Sequence, residues 1–309
     1  MTNVFDNWTQ DMSEAFGKKA VLATHNLHER DMFTDKGLAD LLDQYPRDQF
    51  NLYTMHDDLT DYENGFRRGV AGDLSGAEIL EAIYRGRLWL NLRKTNEHLP
   101  IYEELCDEMF GEMEELVPGL KTHKRDCGVL ISSPKARVFY HLDIPNVSLW
   151  QIRGSKTLHV YPGGEPYASD EQIEAILLGE SEEEITYRPD FESGRESYEL
   201  TPGKMITWPQ MAPHRVDNGD SVNISLSCEF LTMQSVLRAN AMYTNGLMRR
   251  KLGVDPSIEN DGQMTQLAKA ALARALKLAR KKPSIDELAP PTFEVCLEEE
   301  TGVREFTAA

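Results

Sequence analysis

Positive charge is in short supply in this 309-residue chain: 33 lysines and arginines stand against 51 aspartates and glutamates, a formal net charge of −18. A field of that sign repels phosphate backbones, so nucleic acid is a poor partner, and a basic peptide or a cationic small molecule is a more compatible one. Cysteine is scarce too. Cys106, Cys127, Cys228 and Cys296 form no CxxC pair and are too few for a disulfide framework, so reduced thiols are expected. No apolar run is long enough to cross a membrane. The stretch from Met1 to Ala20 has no basic segment followed by an apolar one, which points to the cytoplasm. A GxSxG elbow is absent, and no cysteine sits in a convincing nucleophile setting, which sets hydrolase chemistry aside. There is no internal repeat and no low-complexity tract.

What is present is enough apolar material, 40% of residues, for a sizeable core. The first part, to about Pro118, reads mainly as helices. Thr34 is placed to cap a helix carrying Leu38, Leu41, Leu42 and Tyr45. Ser75 and Glu78 have capping-box spacing, with Gly86 at the far end of the same helix. Arg87 to Leu92 alternates like a strand, and a helix fits Pro100 to Leu116. The pattern changes at Cys127. Gly128 to Ser132, Arg137 to His141, Val147 to Ile152 and Lys156 to Tyr161 are short β-rich runs between turn residues. Asp170 is placed to cap a helix over Glu171 to Leu178, after which strands resume at Lys204 to Trp208 and Ser221 to Leu231. Many short strands with regular turns mean a barrel or sandwich. Two helices follow, Met233 to Leu252 and Met264 to Lys281. The second carries Lys269, Arg274, Lys277, Arg280 and Lys281 on what reads as a basic solvent face. The tail from Pro290 has no strong pattern.

The chemistry concentrates at His141-Leu142-Asp143. Residues two apart in a strand share a face, so an imidazole nitrogen and a carboxylate oxygen project into one space. A distant third ligand completes the two-histidine, one-carboxylate facial triad of non-haem iron(II) sites. His214, between a proline-bounded loop and a strand, is the best third ligand. His25, His28, His56, His98, His123 and His159 read as ordinary surface or core histidines.

The run from His141 to Pro162 resembles the core of the JmjC and cupin-like 2-oxoglutarate oxygenases, in particular the group of the asparaginyl hydroxylase of hypoxia-inducible factor. Gln151, Ile152, Gly154 and Lys156 match that group's Gln-Ile-x-Gly-x-Lys stretch, with the lysine fifteen residues after the first ligand. Gly203 to Asn218 resembles its Gly-Asp…Pro…His-x-Val-x-Asn element, although Lys204 replaces the Asp. Other departures are Val138 for a hydroxyl residue, Val147 (with Asn146 beside it) for an Asn, Trp89 for a Tyr, and Ser227 where some relatives use Asn.

The resemblance implies a double-stranded β-helix of the cupin, jelly-roll type: mainly β, flanked by N-terminal helices and a C-terminal helical pair. It implies a helical region over 1–120, a catalytic core over 121–232 with an insertion at about 163–188, and a helical region over 233–309. It also implies Fe(II) on His141, Asp143 and His214, with 2-oxoglutarate as cosubstrate and its far carboxylate on Lys156, which supplies a compact charge and three donors. Trp89, Ser132, Ser133 and Ser227 are the candidates to complete that pocket. The expected activity is hydroxylation or demethylation of a protein side chain or small molecule. The rivals are a non-catalytic metal- or ligand-binding cupin and a cupin metalloenzyme that does not use 2-oxoglutarate. A homodimer through the C-terminal helices is the expected assembly.

Overall fold

The helix signals of the first part act as read, but strands are threaded between those helices. The computed structural model describes residues 3–55, 66–279, 290–299 and 302–306. It opens with β1 (Phe5–Asn7), α1 (Gln10–Ala15), β2 (Val21–His25), α2 (Asp35–Gln44), β3 (Asn51–Met55) and β4 (Phe66–Val70). Then come α3 (Gly76–Arg85), β5 (Leu88–Leu92), α4 (Thr95–His98) and α5 (Pro100–Leu116). Thr34 caps α2 by accepting from the Gly37 amide at 3.2 Å, and Ser75 and Glu78 form the reciprocal box that starts α3. Helices still make up most of the ordered elements of this region, as read, and β1 to β4 are the additions. Each spans five residues or fewer, too few for alternation to stand out, and each owes its order to a partner distant in sequence. β2, for example, pairs with Lys204 to Thr207.

The middle of the chain holds β6 (His123–Ser132), β7 (Arg137–His141), β8 (Asn146–Arg153), β9 (Lys156–Val160), α6 (Asp170–Leu178), β10 (Glu196–Leu200), β11 (Lys204–Thr207), β12 (His214–Asn218) and β13 (Asn223–Leu231). The cap of α6 is Ser169 rather than Asp170: its hydroxyl accepts from the Gln172 amide while the Gln172 side chain takes the Ser169 amide. α7 (Met233–Leu252) and α8 (Gln263–Ala279) follow, then β14 (Phe293–Val295) and β15 (Val303–Glu305).

Two sheets result. The smaller has the order β10-β9-β12-β7, and the larger runs β1-β2-β11-β8-β13-β6-β5-β3-β4-β14-β15. Val147, Leu149 and Ile206 of the larger sheet meet Leu158, Val160 and Val216 of the smaller in one apolar cluster, so the sheets face each other. The outer face of the larger sheet is covered by α2, α3 and α5, where Trp150, Ile131 and Met205 pack with Phe110, Met109, Leu38 and Ile83. The outer face of the smaller sheet is covered by α6 and α7 through Tyr140, Leu142, Ile173 and Met242.

The tail that showed no pattern is ordered by its partners. Phe293 pairs in parallel register with Gly69 of β4 and is fully buried. A Cβ at Gly69 would lie 2.2 Å from the Phe293 ring. Gly69→Ala is expected to lower stability by about 1–3 kcal/mol through overpacking, read as a lower urea midpoint. An unchanged midpoint would show that the ring has room to move.

Of the basic solvent face expected on α8, Arg274 and Lys277 are exposed, whereas Lys269 is drawn into a contact. Lys269 reaches Asp261 at 2.6 Å, and Lys277 lies over the Tyr243 ring of α7 at 4.4 Å. Small residues, Ala270 and Ala273, take the close contact with α7, which leaves Leu267, Leu272, Leu276 and Leu278 exposed. Arg280, Lys281 and His56 lie outside the described residues.

Candidate active site

β7 and β12 are neighbours in the smaller sheet, and their register sets His141 opposite His214. Alternation continues past the end of β7: Tyr140 and Leu142 enter the outer cluster, while His141 and Asp143 face a cavity of about 700 Å³ between the sheets. The three side chains converge there, their candidate ligand atoms all within 4.8 Å of one another. Asp143 Oδ2 is 3.2 Å from His214 Nε2, and Oδ1 is 3.9 Å from His141 Nε2.

Each imidazole has its other nitrogen committed to a backbone carbonyl, His141 Nδ1 to Phe139 at 2.7 Å and His214 Nδ1 to Ala212 at 3.1 Å. Nδ1–H therefore donates, and Nε2 presents a lone pair to the cavity. Trp208, with its ring 4.6 Å from that of His214, holds the second imidazole in place. Burial, then the neighbouring His214, pushes His141 down to about 4. Burial works to raise the Asp143 carboxyl, but His214 and His141 together hold it below the usual range. Two neutral imidazoles and one ionised carboxylate are what a divalent cation requires of its ligands. The donor set fits iron(II), with nitrogen and oxygen on one side and the cavity on the other.

Below this level the cavity walls are apolar: Leu130, Val138, Leu149, Leu158 and Val216. Further down the interior becomes polar. Lys156 is the register partner of Asn218, two residues along the same strand face from Leu158 and four from Val160, which pairs with His214. Four residues of strand span about 13 Å, which sets Lys156 that far along the sheet from the ligands. Lys156 is only 6% exposed, and among the described residues its ammonium has no hydrogen bond or ion pair. Burial lowers it to about 7. Asn218 donates to Ser132 Oγ at 2.7 Å, and Ser225 donates to Gln151, which donates to Asn223. This is a polar floor with one cation in it.

The remaining candidates divide. Trp89 and Ser227 line the cavity, and Ser132 is buried at the floor against Asn218. The Ser133 hydroxyl is engaged elsewhere, donating to the Ile83 carbonyl and accepting from the Leu88 amide. Asn218 closes the matched element four residues after His214, but nothing in the sequence alone gives it a role at the floor. Arg93, Glu183 and Glu229 also line the cavity with no local motif to reveal them. Arg93 donates to Glu229 at 2.9 Å and to Asp126 at 3.3 Å. Burial, opposed by Arg93 and reinforced by Asp143, raises Glu229 to about 7.

Compared with known proteins, the chain matches no family model and no curated protein. Its fold is found among solved structures. That of Escherichia coli YcfD superposes with a TM-score of 0.51 at 17% identity, over 91% of this chain and 69% of YcfD. A second structure of YcfD, described as the Escherichia coli ribosomal oxygenase, gives 0.49 at 16% over the same shares. The carbocyclase SnoK of nogalamycin biosynthesis, a non-haem α-ketoglutarate-dependent enzyme, gives 0.44 at 10%, over 74% of this chain and 87% of SnoK. At 17% identity the first of these likenesses bears on the fold alone: mainly β with helical additions, as the resemblance in sequence implied.

Proposed function

We propose that this protein is an Fe(II)- and 2-oxoglutarate-dependent oxygenase that oxidises a C–H bond of a protein side chain or small molecule. One observation carries the reading. A cavity has a two-histidine, one-carboxylate triad at one level and, on a strand face leading down from it, a buried lysine without a partner among the described residues. An unpaired buried ammonium is costly unless an anion joins it, and a dicarboxylate bound to the metal by its keto-acid end brings one. YcfD, whose fold this chain shares, is a ribosomal oxygenase, which is compatible with a protein substrate.

His141, Asp143 and His214 would hold the iron, and the carbonyls of Phe139 and Ala212 would keep both imidazoles in the ligating tautomer. Lys156 would take the far carboxylate, with Asn218 and Ser132 beside it. When bound, iron and 2-oxoglutarate together couple decarboxylation of the cosubstrate to succinate with oxidation of the substrate by oxygen. Leu149, Leu158 and Val216 exclude water between the two ends, which strengthens the contact at Lys156. No side chain needs to act as a general base in this scheme.

In the same reading the eight consecutive strands β6 to β13, which divide four and four between the sheets as β11-β8-β13-β6 and β10-β9-β12-β7, form a double-stranded β-helix. They make 121–232 the catalytic core, with 1–120 and 233–309 as additions. The enzyme is cytoplasmic, its four cysteines free. The exposed leucines of α8 are the surface through which it would dimerise.

The test is an anaerobic visible spectrum on adding Fe(II) and then 2-oxoglutarate, with His141→Ala as control. A metal-to-ligand charge-transfer band that His141→Ala abolishes is expected. Bound iron without a band would favour a metal-binding cupin or an enzyme that does not use 2-oxoglutarate.

A further inference from the structure

Strand pairing holds the two histidines of the triad, but not the carboxylate. His141 and His214 are register partners in β7 and β12. Asp143 lies past the end of β7 and before β8, in the turn 142–145. On one side of it the Leu142 amide donates to the Glu183 carbonyl at 3.2 Å. On the other side the Ile144 carbonyl accepts from the side-chain amide of Gln210 at 2.8 Å. Gln210 stands four residues before His214, so one side chain joins the segments that carry two of the three ligands. The same Nε2 donates to the Ser235 carbonyl, in the first turn of α7, at 3.2 Å. Both partners are carbonyls, so both N–H groups of the amide are committed to main chain.

A glutamine on a loop is mostly a solvated side chain. Three observations separate Gln210 from that case. Its partners lie 66 and 25 residues away in sequence, so its bonds are tertiary. One partner belongs to a firmly anchored element: α7 starts with the reciprocal cap of Thr232 and Ser235, and its Arg249 donates to the buried Glu174 of α6 at 2.9 Å. The loop itself is held in a shape a side chain disfavours. The Ala212 amide closes a turn on the Pro209 carbonyl at 3.1 Å, and Met211, 2% exposed, has a φ of +60°, in the left-handed region. That turn ends on the Ala212 carbonyl, the acceptor that orients His214. A shift of the turn moves that acceptor. A shift of 142–145 moves the Asp143 carboxylate, whose Oδ2 is 3.2 Å from His214 Nε2.

We propose that Gln210 is a positioning residue of the metal centre, which fixes Asp143 relative to His214 by tying the turn of one and the loop of the other to the start of α7. This rests on the part of the oxygenase reading in which His141, Asp143 and His214 hold a divalent metal. Gln210 ligates nothing itself and acts through the main chain on two residues that do. The C-terminal helical region is then part of the metal site and not an appendage to it.

The experiment is titration of the metal-free full chain with cobalt(II), followed by calorimetry and by the visible ligand-field bands, which report the geometry around the ion. Wild type, Gln210→Met, Gln210→Ala and the control His141→Ala are compared, and the metal-free form of each is melted. Gln210→Met keeps the length of the side chain and removes both donors. Residues that orient metal ligands typically change affinity by about 10- to 100-fold when replaced. A loss of that size is expected in both Gln210 variants, with ligand-field bands displaced from those of the wild type. A purely structural clamp would lower the metal-free melting temperature and leave cobalt affinity and bands as in the wild type, and that result overturns the proposal. If it is found while His141→Ala abolishes cobalt binding, only this inference falls. Cobalt binding that survives His141→Ala places the metal elsewhere, and the oxygenase reading falls together with this inference. Cobalt at the triad, lost as expected in the Gln210 variants, with no charge-transfer band on adding iron and 2-oxoglutarate to the wild type, removes the oxygenase reading and leaves the role of Gln210 standing.

Discussion

Lys156→Met is expected to make the ligand-free protein more stable and to weaken 2-oxoglutarate binding by about 100-fold or more. The two effects share one cause. Lys156 is 6% exposed, faces an interior lined by Leu158 and Val216, and has no partner among the described residues. Burial lowers it from 10.5 to about 7. For a base whose folded pKa is depressed, the unfolded chain binds more protons between the two values. Stability therefore rises with pH from about 7 toward 10.5, and the full cost is present below 7. Methionine keeps much of the volume and removes the charge, so a gain of about 1–4 kcal/mol at pH 7 follows. Bound 2-oxoglutarate reverses the sign, because the ammonium is then paired, and removing it leaves a carboxylate in a low-dielectric interior at a cost of about 3–5 kcal/mol. Calorimetric melting at pH 7 and at pH 9, with and without 2-oxoglutarate, measures both. The wild type should gain stability between those pH values only when ligand-free, and the variant should gain none. A destabilised variant with undiminished 2-oxoglutarate affinity would make Lys156 an ordinary strand residue.

The parts of the site legible in the sequence are those encoded over a short span. His141 and Asp143 are two apart, so one strand face suffices to bring them together, and the structure keeps that alternation even though the strand ends at His141. Lys156 was legible through the matched stretch from Gln151. His214 lay farther off, and its context between prolines, rather than its distance, identified it. What escaped was set by register between remote strands. Asn218 belongs with Lys156 because β12 pairs with β9. Arg93 and Glu229 meet because β5 and β13 both flank β6. Glu183 reaches the triad through a backbone pairing of 142 with 183 that no periodicity announces. The same reason hid β1 to β4 and the strands of the tail. A capping box, by contrast, is a signal between residues three apart, and the one read at Ser75 and Glu78 forms at the start of α3. On α8 the sequence displayed its basic residues plainly, but which side of that helix faces α7 depends on the small side chains Ala270 and Ala273.

Asp143→Ala is expected to weaken divalent-metal binding by about 1,000-fold or more while leaving the ligand-free fold intact. Asp143 is the only anionic member of the triad, and its two oxygens address both histidines, at 3.2 Å and 3.9 Å. Without it, two neutral imidazoles remain with ring centroids 4.1 Å apart. Each is still oriented by its own carbonyl, but no ligand atom left in the triad offsets the cation's charge. Among the described residues Asp143 also makes no capping or sheet contact of its own, so its loss should not cost folding energy and should relieve the burial of a carboxylate. This separates a metal ligand from a structural acid. Ligand binding raises stability by RT ln(1 + [L]/Kd), about 2.7 kcal/mol at a hundredfold excess over Kd. Cobalt(II) should therefore raise the melting temperature of the wild type and leave that of Asp143→Ala unmoved. Asp143→Asn, which keeps an oxygen donor but not the charge, should fall between them. If Asp143→Ala melts with the same cobalt-dependent increase as the wild type, the metal is held elsewhere and the triad is not the ligand set. If the ligand-free variant is itself several degrees less stable, Asp143 is part of the fold's own polar network and its approach to the histidines is structural.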